Sequence, residues 1–112
     1  MMLIINEMTV EVRQLSIDKG WRRADGTSDT SFAEYIALAH SGLSEALEAW
    51  RDKKYTTVVE NGKPEGVGSE LADVLIRVLD MADVFNIDLS LEYNTKMAYN
   101  KTRAYRHGGR TL

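Results

Sequence analysis

The chain has 112 residues, enough for one hydrophobic core and too few for two, because the fraction of surface that folding buries falls quickly in small domains. Hydrophobic residues make up 44% and charged residues 28%, with no apolar run near the roughly 18 to 20 residues of a membrane-spanning helix, so neither crossing nor entering a bilayer is expected. There is no cysteine, which excludes disulfides, thiolate metal sites and cysteine nucleophiles; the net charge of −3 divides into −8 over residues 1–95 and five basic residues with no acid from Lys96 to Leu112.

Met1-Met2-Leu3-Ile4-Ile5 is apolar but has no basic leader and no small-residue cleavage site, so no export is expected and a cytoplasmic address follows. A first helix is expected from about Leu3 to Lys19, with Ile4, Ile5, Met8, Val12 and Leu15 on one side and Gly20 as its stop. A polar loop, Trp21 to Thr30, follows. Ser31-Phe32-Ala33-Glu34 fits a capping box and starts a second helix that continues to about Arg51. Phe32, Tyr35, Ile36, Ala39, Leu43, Ala46, Leu47 and Trp50 recur at three and four residues along it and are expected to form core.

From Asp52 to Val67 the glycines, Pro64 and Asn61-Gly62 end any helical pattern, and this stretch, which shows no strand alternation, is expected to be a connection over the surface or against a partner subunit. The third helix, about Ser69 to Phe85, should bury Leu71, Val74, Leu75, Val78, Leu79 and Ala82. Asp88 or Ser90 can cap a fourth that reaches about Arg103. The expected architecture is a single all-α domain over residues 1–112, a four-helix bundle with a basic, flexible tail at about 104–112.

Two short motifs carry the chemistry. Glu45-Ala46-Leu47-Glu48 lies on the second helix and Glu70-Leu71-Ala72-Asp73 on the third, each with two carboxylates three residues apart and so on nearly one side of its helix. Antiparallel packing would set the pairs face to face, and four carboxylates in one place repel unless a cation neutralises them. Magnesium, which takes oxygen ligands and keeps waters and phosphates in its shell, suits that role. The competing reading makes the same acids, with Glu34, Asp52 and Asp80, solvated faces of amphipathic helices, and Arg77 an ordinary surface partner of Asp73 or Asp80. A di-iron carboxylate bundle would need Glu-x-x-His, and neither His40 nor His107 follows a Glu by three residues.

These two motifs, separated by 21 residues, together with Lys96-x-x-x-Asn100 on the next helix, resemble the MazG-like branch of the all-helical nucleotide pyrophosphohydrolases. Two longer stretches, His40 to Arg51 and Lys96 to Arg103 followed by Arg106-His107-Gly108-Gly109, extend the likeness over about Ala33 to Gly109. It implies a MazG-type bundle completed by oligomerisation to a homodimer or homotetramer. The implied activity is magnesium-dependent hydrolysis of a ribo- or deoxyribonucleoside triphosphate to the monophosphate and pyrophosphate, with manganese as an alternative ion. Glu45, Glu48, Glu70 and Asp73 are the implied metal ligands, and Glu45 or Glu48 also positions the attacking water as general base.

Lys96, Asn100 and Arg103, at i, i+4 and i+7, and Arg106 beyond them would hold phosphate or sugar, and Arg106, His107 and Arg110 beside Gly108-Gly109 could fold over the phosphates. Trp21, among Lys19, Arg22 and Arg23, and Trp50 are candidates to stack on a base, Trp50 more readily read as packing. One departure stands out: many relatives carry a carboxylate where this chain has Gly42. Either Glu45 and Glu48 are the working pair, or the family pair falls at 42 and 45 and the metal site is weakened. A nucleotide sensor without turnover and a purely structural helical oligomer are the rival functions; specific binding to nucleic acid is not expected from so acidic a body.

Overall fold

The computed structural model describes residues 4–105, folded as four helices and one short hairpin: α1 (Ile5–Asp18), α2 (Phe32–Arg51), β1 (Val58–Glu60), β2 (Lys63–Glu65), α3 (Val67–Val84) and α4 (Leu89–Thr102). The fold is mostly helical, as the apolar spacing predicts. No helix among the described residues is long and apolar enough to cross a membrane.

The helix ends follow local chemistry. Gly20, at φ +76°, ends α1, with its N–H donated to the Ile17 carbonyl and the Trp21 N–H to that of Ser16, the paired bonds of a left-handed glycine cap. Ser31 caps α2 by accepting from the Glu34 N–H at 3.1 Å, while its hydroxyl donates to the Glu34 carboxylate. Asp88 caps α4 in the same way, accepting from the Leu91 N–H.

α2 and α3 form the principal packed pair, and they run antiparallel. Phe32 and Tyr35 meet the Phe85 ring edge-on at one end, Gly42 lies against Val74 in the middle, and Glu45 reaches Glu70 beyond it. The buried face of α2 is Tyr35, Ala39, Gly42, Ala46 and Ala49, four of the five being small enough to let the helices approach closely. α1 packs on α3, burying Val12 and Ser16, and α4 rests mainly on α1 without burying any of its residues.

Two expectations need correction. Phe32, Leu43, Leu47 and Trp50 of α2 and Leu71 and Leu75 of α3 are exposed, although their spacing reads as core. They lie beside the buried stripe, on flanks that a single chain of four helices has nothing to cover. The connection after α2 does contain strands. Val58–Glu60 pairs antiparallel with Lys63–Glu65, and the two-residue turn is Asn61-Gly62, both at positive φ (53° and 78°), as a primed hairpin turn requires.

Candidate functional site

The carboxylates of α2 and α3 meet at the end of the helix pair that the hairpin closes. Lys53 adopts φ +61° just after α2, which turns the chain back so that the Lys54 N–H bonds the Ala49 carbonyl at 2.9 Å. The Lys54 carbonyl then accepts from the N–H of Val67, the first residue of α3. Gly66 completes the junction at φ +130°. A Cβ there would stand 2.8 Å from the Thr56 carbonyl oxygen, so only glycine lets the hairpin lie this close to the start of α3.

The resulting open depression, about 290 Å³, is lined by Glu45, Glu48 and Asp52 of α2 and its end, Glu65 and Glu70 from the hairpin and α3, and the side chains of Lys54 and Lys63. Glu70 is half-buried, and its carboxyl is held above the ordinary glutamate range, first by desolvation, then by the hydrogen bond and charge of Glu45, with smaller repulsion from Asp73 and Glu65. Two carboxyls this near each other repel when both are ionised, and a proton or a cation between them relieves it. Lys63 partly neutralises the rim through an ion pair to Glu65 at 3.4 Å.

Three of the four expected ligands, Glu45, Glu48 and Glu70, therefore share one depression. Asp73 does not line it. One turn further along α3, it is close enough to raise Glu70 but borders a second, larger depression with Trp21, Tyr35, Arg77 and Asp80. Among the described residues no three carboxylates or histidines are drawn tightly enough to enclose an ion as they stand. The donor set is nonetheless hard oxygen, anionic and mutually repelling, which is the chemistry that suits magnesium or manganese.

Gly42 has a steric reason. It is buried in the α2–α3 contact, and a Cβ at this position would meet Val74 Cγ2 at 2.8 Å. A side chain here would begin inside the helix interface, while Glu45 and Glu48 both line the depression.

Lys96, Asn100 and Arg103 are placed elsewhere. All are exposed, α4 starts at the end of α3 opposite Glu70, and neither depression takes a residue from it. Lys96 sits over the Tyr99 ring of its own helix, 5.7 Å from the centroid. Within one chain the structure does not bring these groups to the carboxylates; Arg106, His107, Gly108, Gly109 and Arg110 lie outside the described residues. His40 is exposed, and Trp50 packs on Tyr55 with ring centroids 4.6 Å apart.

The pattern of acids missed two groups of residues. Lys54, Lys63 and Glu65 reach the depression only because the chain folds back at Asn61-Gly62, a turn signal that was present. The other is an ionic cluster behind the loop after α1. Arg22, whose side chain is only 3% exposed, donates through Nε and Nη2 to the Gly26 carbonyl, through Nη1 to Asp80 and through Nη2 to Asp83. Arg13 grips Asp83 with two further bonds, and Asp80 also accepts from the Ser16 hydroxyl.

Comparison of the chain with family models, with curated proteins and with solved structures returned no match.

Proposed function

We propose that this chain is a nucleoside triphosphate pyrophosphohydrolase of the MazG-like kind, working with magnesium or, in its place, manganese. The observation that carries the reading is Glu45 of α2 set against Glu70 of α3, with Glu48 in the same depression. Such a concentration of like charge is costly unless a cation belongs there. Glu70 and either Glu45 or Glu48 would hold the metal directly, with Asp73, one turn beyond, and the remaining glutamate acting through water. Bound there, the metal would neutralise charge on the phosphates and polarise the phosphoryl oxygens.

The chain's own residues then account for the rest. A glutamate not spent on coordination, Glu45 or Glu48, orients a water and takes its proton as the water oxygen attacks the α-phosphorus. The bond from that phosphorus to the bridging oxygen breaks, and the electron pair leaves with pyrophosphate; the other product is the nucleoside monophosphate. Lys54 and Lys63 on the rim offer positive charge for the departing phosphates. Lys96, Asn100, Arg103 and Arg106 keep a role in this reading through assembly, since an oligomer can present α4 and the tail of one copy to the depression of another.

The exposed apolar flanks of α2 and α3 favour such a homodimer or homotetramer. The packing of Gly42 against Val74 gives the glycine a structural reason of its own, which supports the catalytic reading over a binding-only protein. The test is pyrophosphate release from ribo- and deoxyribonucleoside triphosphates with and without magnesium. Magnesium-dependent release that Glu70→Gln and Asp73→Asn each reduce at least about 100-fold, with the helices intact by circular dichroism, is the expected result. Full turnover in either variant would overturn the ligand assignment.

A further inference from the structure

The second depression holds a set of groups that the carboxylate chemistry leaves unused. It encloses about 520 Å³, within the range of small-molecule sites, and lies one helical turn from Glu70, with Asp73 on its edge. Its wall carries Trp21, Tyr35, Ser16, Arg77 and Asp80.

Trp21 is 66% exposed, an unusual placement for an indole with no partner ring among the described residues, yet its backbone is firmly held. Its backbone N–H donates to the Ser16 carbonyl at 2.9 Å, and the next residue is the buried Arg22, anchored to Gly26, Asp80 and Asp83. The Arg22 cluster thus fixes the backbone that carries this indole on the rim of the depression.

Arg77 is half-buried and makes no hydrogen bond or ion pair among the described residues, although Asp73 and Asp80 border the same space. Asp80 is engaged through one oxygen. Both the Ser16 hydroxyl and Arg22 bond Oδ1 of Asp80, so Oδ2 is left as an acceptor facing no protein donor among the described residues. The wall therefore combines a stacking surface, a guanidinium fork with free donors and a carboxylate oxygen with free capacity.

We infer that this depression is a subsite for a guanine base, stacked on Trp21, with Arg77 as the residue that selects it. Guanine presents O6 and N7 as two adjacent acceptors that match a guanidinium fork, and its N1–H or N2–H can donate to the open Oδ2 of Asp80. Adenine places an amino donor where O6 stands, which faces Arg77 donor to donor, and the pyrimidines lack the paired acceptors. The inference deepens the proposed activity by naming the substrate as a guanine nucleotide; the proposed activity accounts for the phosphates and this subsite for the base.

The test reads Trp21 fluorescence in a Trp50→Phe chain, so that Trp21 is the sole indole, titrated with GMP, AMP, CMP and UMP, and in parallel measures pyrophosphate release from the four triphosphates. GMP should quench at least about tenfold more tightly than the others. Arg77→Met should abolish that preference, a loss of the size expected for one bidentate pair. Should that variant fail to fold, Arg77→Lys carries the same test, because it keeps the charge and loses the fork. Equal quenching by all four bases, or an Arg77→Lys chain that still prefers GMP, overturns the inference even where pyrophosphate is released from every triphosphate. Selective GMP binding with no pyrophosphate released sustains the guanine subsite and overturns the pyrophosphohydrolase reading instead.

Discussion

At Glu70 and Gly42 two opposite packing problems meet on the same pair of helices. Glu70 is a carboxyl whose folded-state pKa is raised above the ordinary 4.5 by burial and by Glu45. In the window above 4.5 and below that raised value the folded chain binds more protons than the unfolded one, so this group favours folding at low pH and loses that contribution as pH rises through its folded pKa. Without metal, Glu70→Gln should therefore gain stability over the parent at pH 7, and the difference should shrink toward pH 5; urea midpoints at the two pH values check it. Added magnesium should stabilise the parent far more than the variant, and equal stabilisation of both would remove the cation from the site. Gly42 sets helix propensity against sterics. Alanine recovers about 1 kcal/mol of propensity, but its Cβ meets Val74, whose branched side chain has one favoured helical rotamer and little room to yield, and overpacking costs about 1–3 kcal/mol. Gly42→Ala should thus be net destabilising by about 1 kcal/mol, and should turn stabilising when Val74 is also alanine. Additive effects in that double-mutant cycle would show that the Val74 contact does not explain the glycine.

At the scale of elements, what could be read from the chain depended on how local the determinant is. Helix starts at Ser31 and Asp88 and the stop at Gly20 are set by bonds within a few residues, and all three are where the sequence places them. The hairpin was equally local at Asn61-Gly62, but its strands are three residues each and wholly exposed or nearly so, too short to show alternation. The convergence of Glu45, Glu48 and Glu70 was legible because the three-residue spacing and antiparallel packing suffice to place them. Asp73 separates from them because three residues on a helix advance about 4.5 Å as well as returning to one side. The Arg22 cluster was not legible, since its partners Asp80 and Asp83 are 58 and 61 residues away. That cluster ties the loop after α1 to α3. The Asp83 carboxyl is held below its ordinary range, first by the hydrogen bonds of Arg13 and then by those of Arg22. Asp83→Asn should cost about 3 kcal/mol, the lower end for removing one member of a buried ionic group. A depressed folded pKa contributes stability above the unfolded value of 3.8 that is lost as pH falls through the folded one, so the gap in denaturation midpoint between parent and variant should begin to narrow only below 3.8 and close beneath the folded pKa of Asp83.

For the molecule as a whole, the deciding quantity is apolar surface. No side chain among the described residues is below 2% exposure, and the radius of gyration is 16.6 Å where a compact chain of this length has about 13 Å. The spacing of Leu43, Leu47 and Trp50 reads as core in the sequence and is exposed in the single chain, at 50%, 50% and 58%. Both readings hold together if another surface covers these residues. Patches of this kind rarely stay open on monomers, and burying apolar area stabilises by about 25 cal/mol per Å². The proposed oligomer therefore makes a definite prediction for sedimentation: at micromolar concentration the chain runs as a dimer or tetramer, and Leu47→Glu shifts it toward monomer. Activity separates the two roles assigned to assembly. If Lys96, Asn100 and Arg103 reach the depression of a neighbouring copy, an inactive Glu70→Gln chain mixed with an inactive Lys96→Ala chain should regain turnover through sites that combine an intact depression with an intact α4. A mixture that stays silent while both variants still assemble would leave α4 outside the reaction, and the phosphates would rest on Lys54 and Lys63 alone.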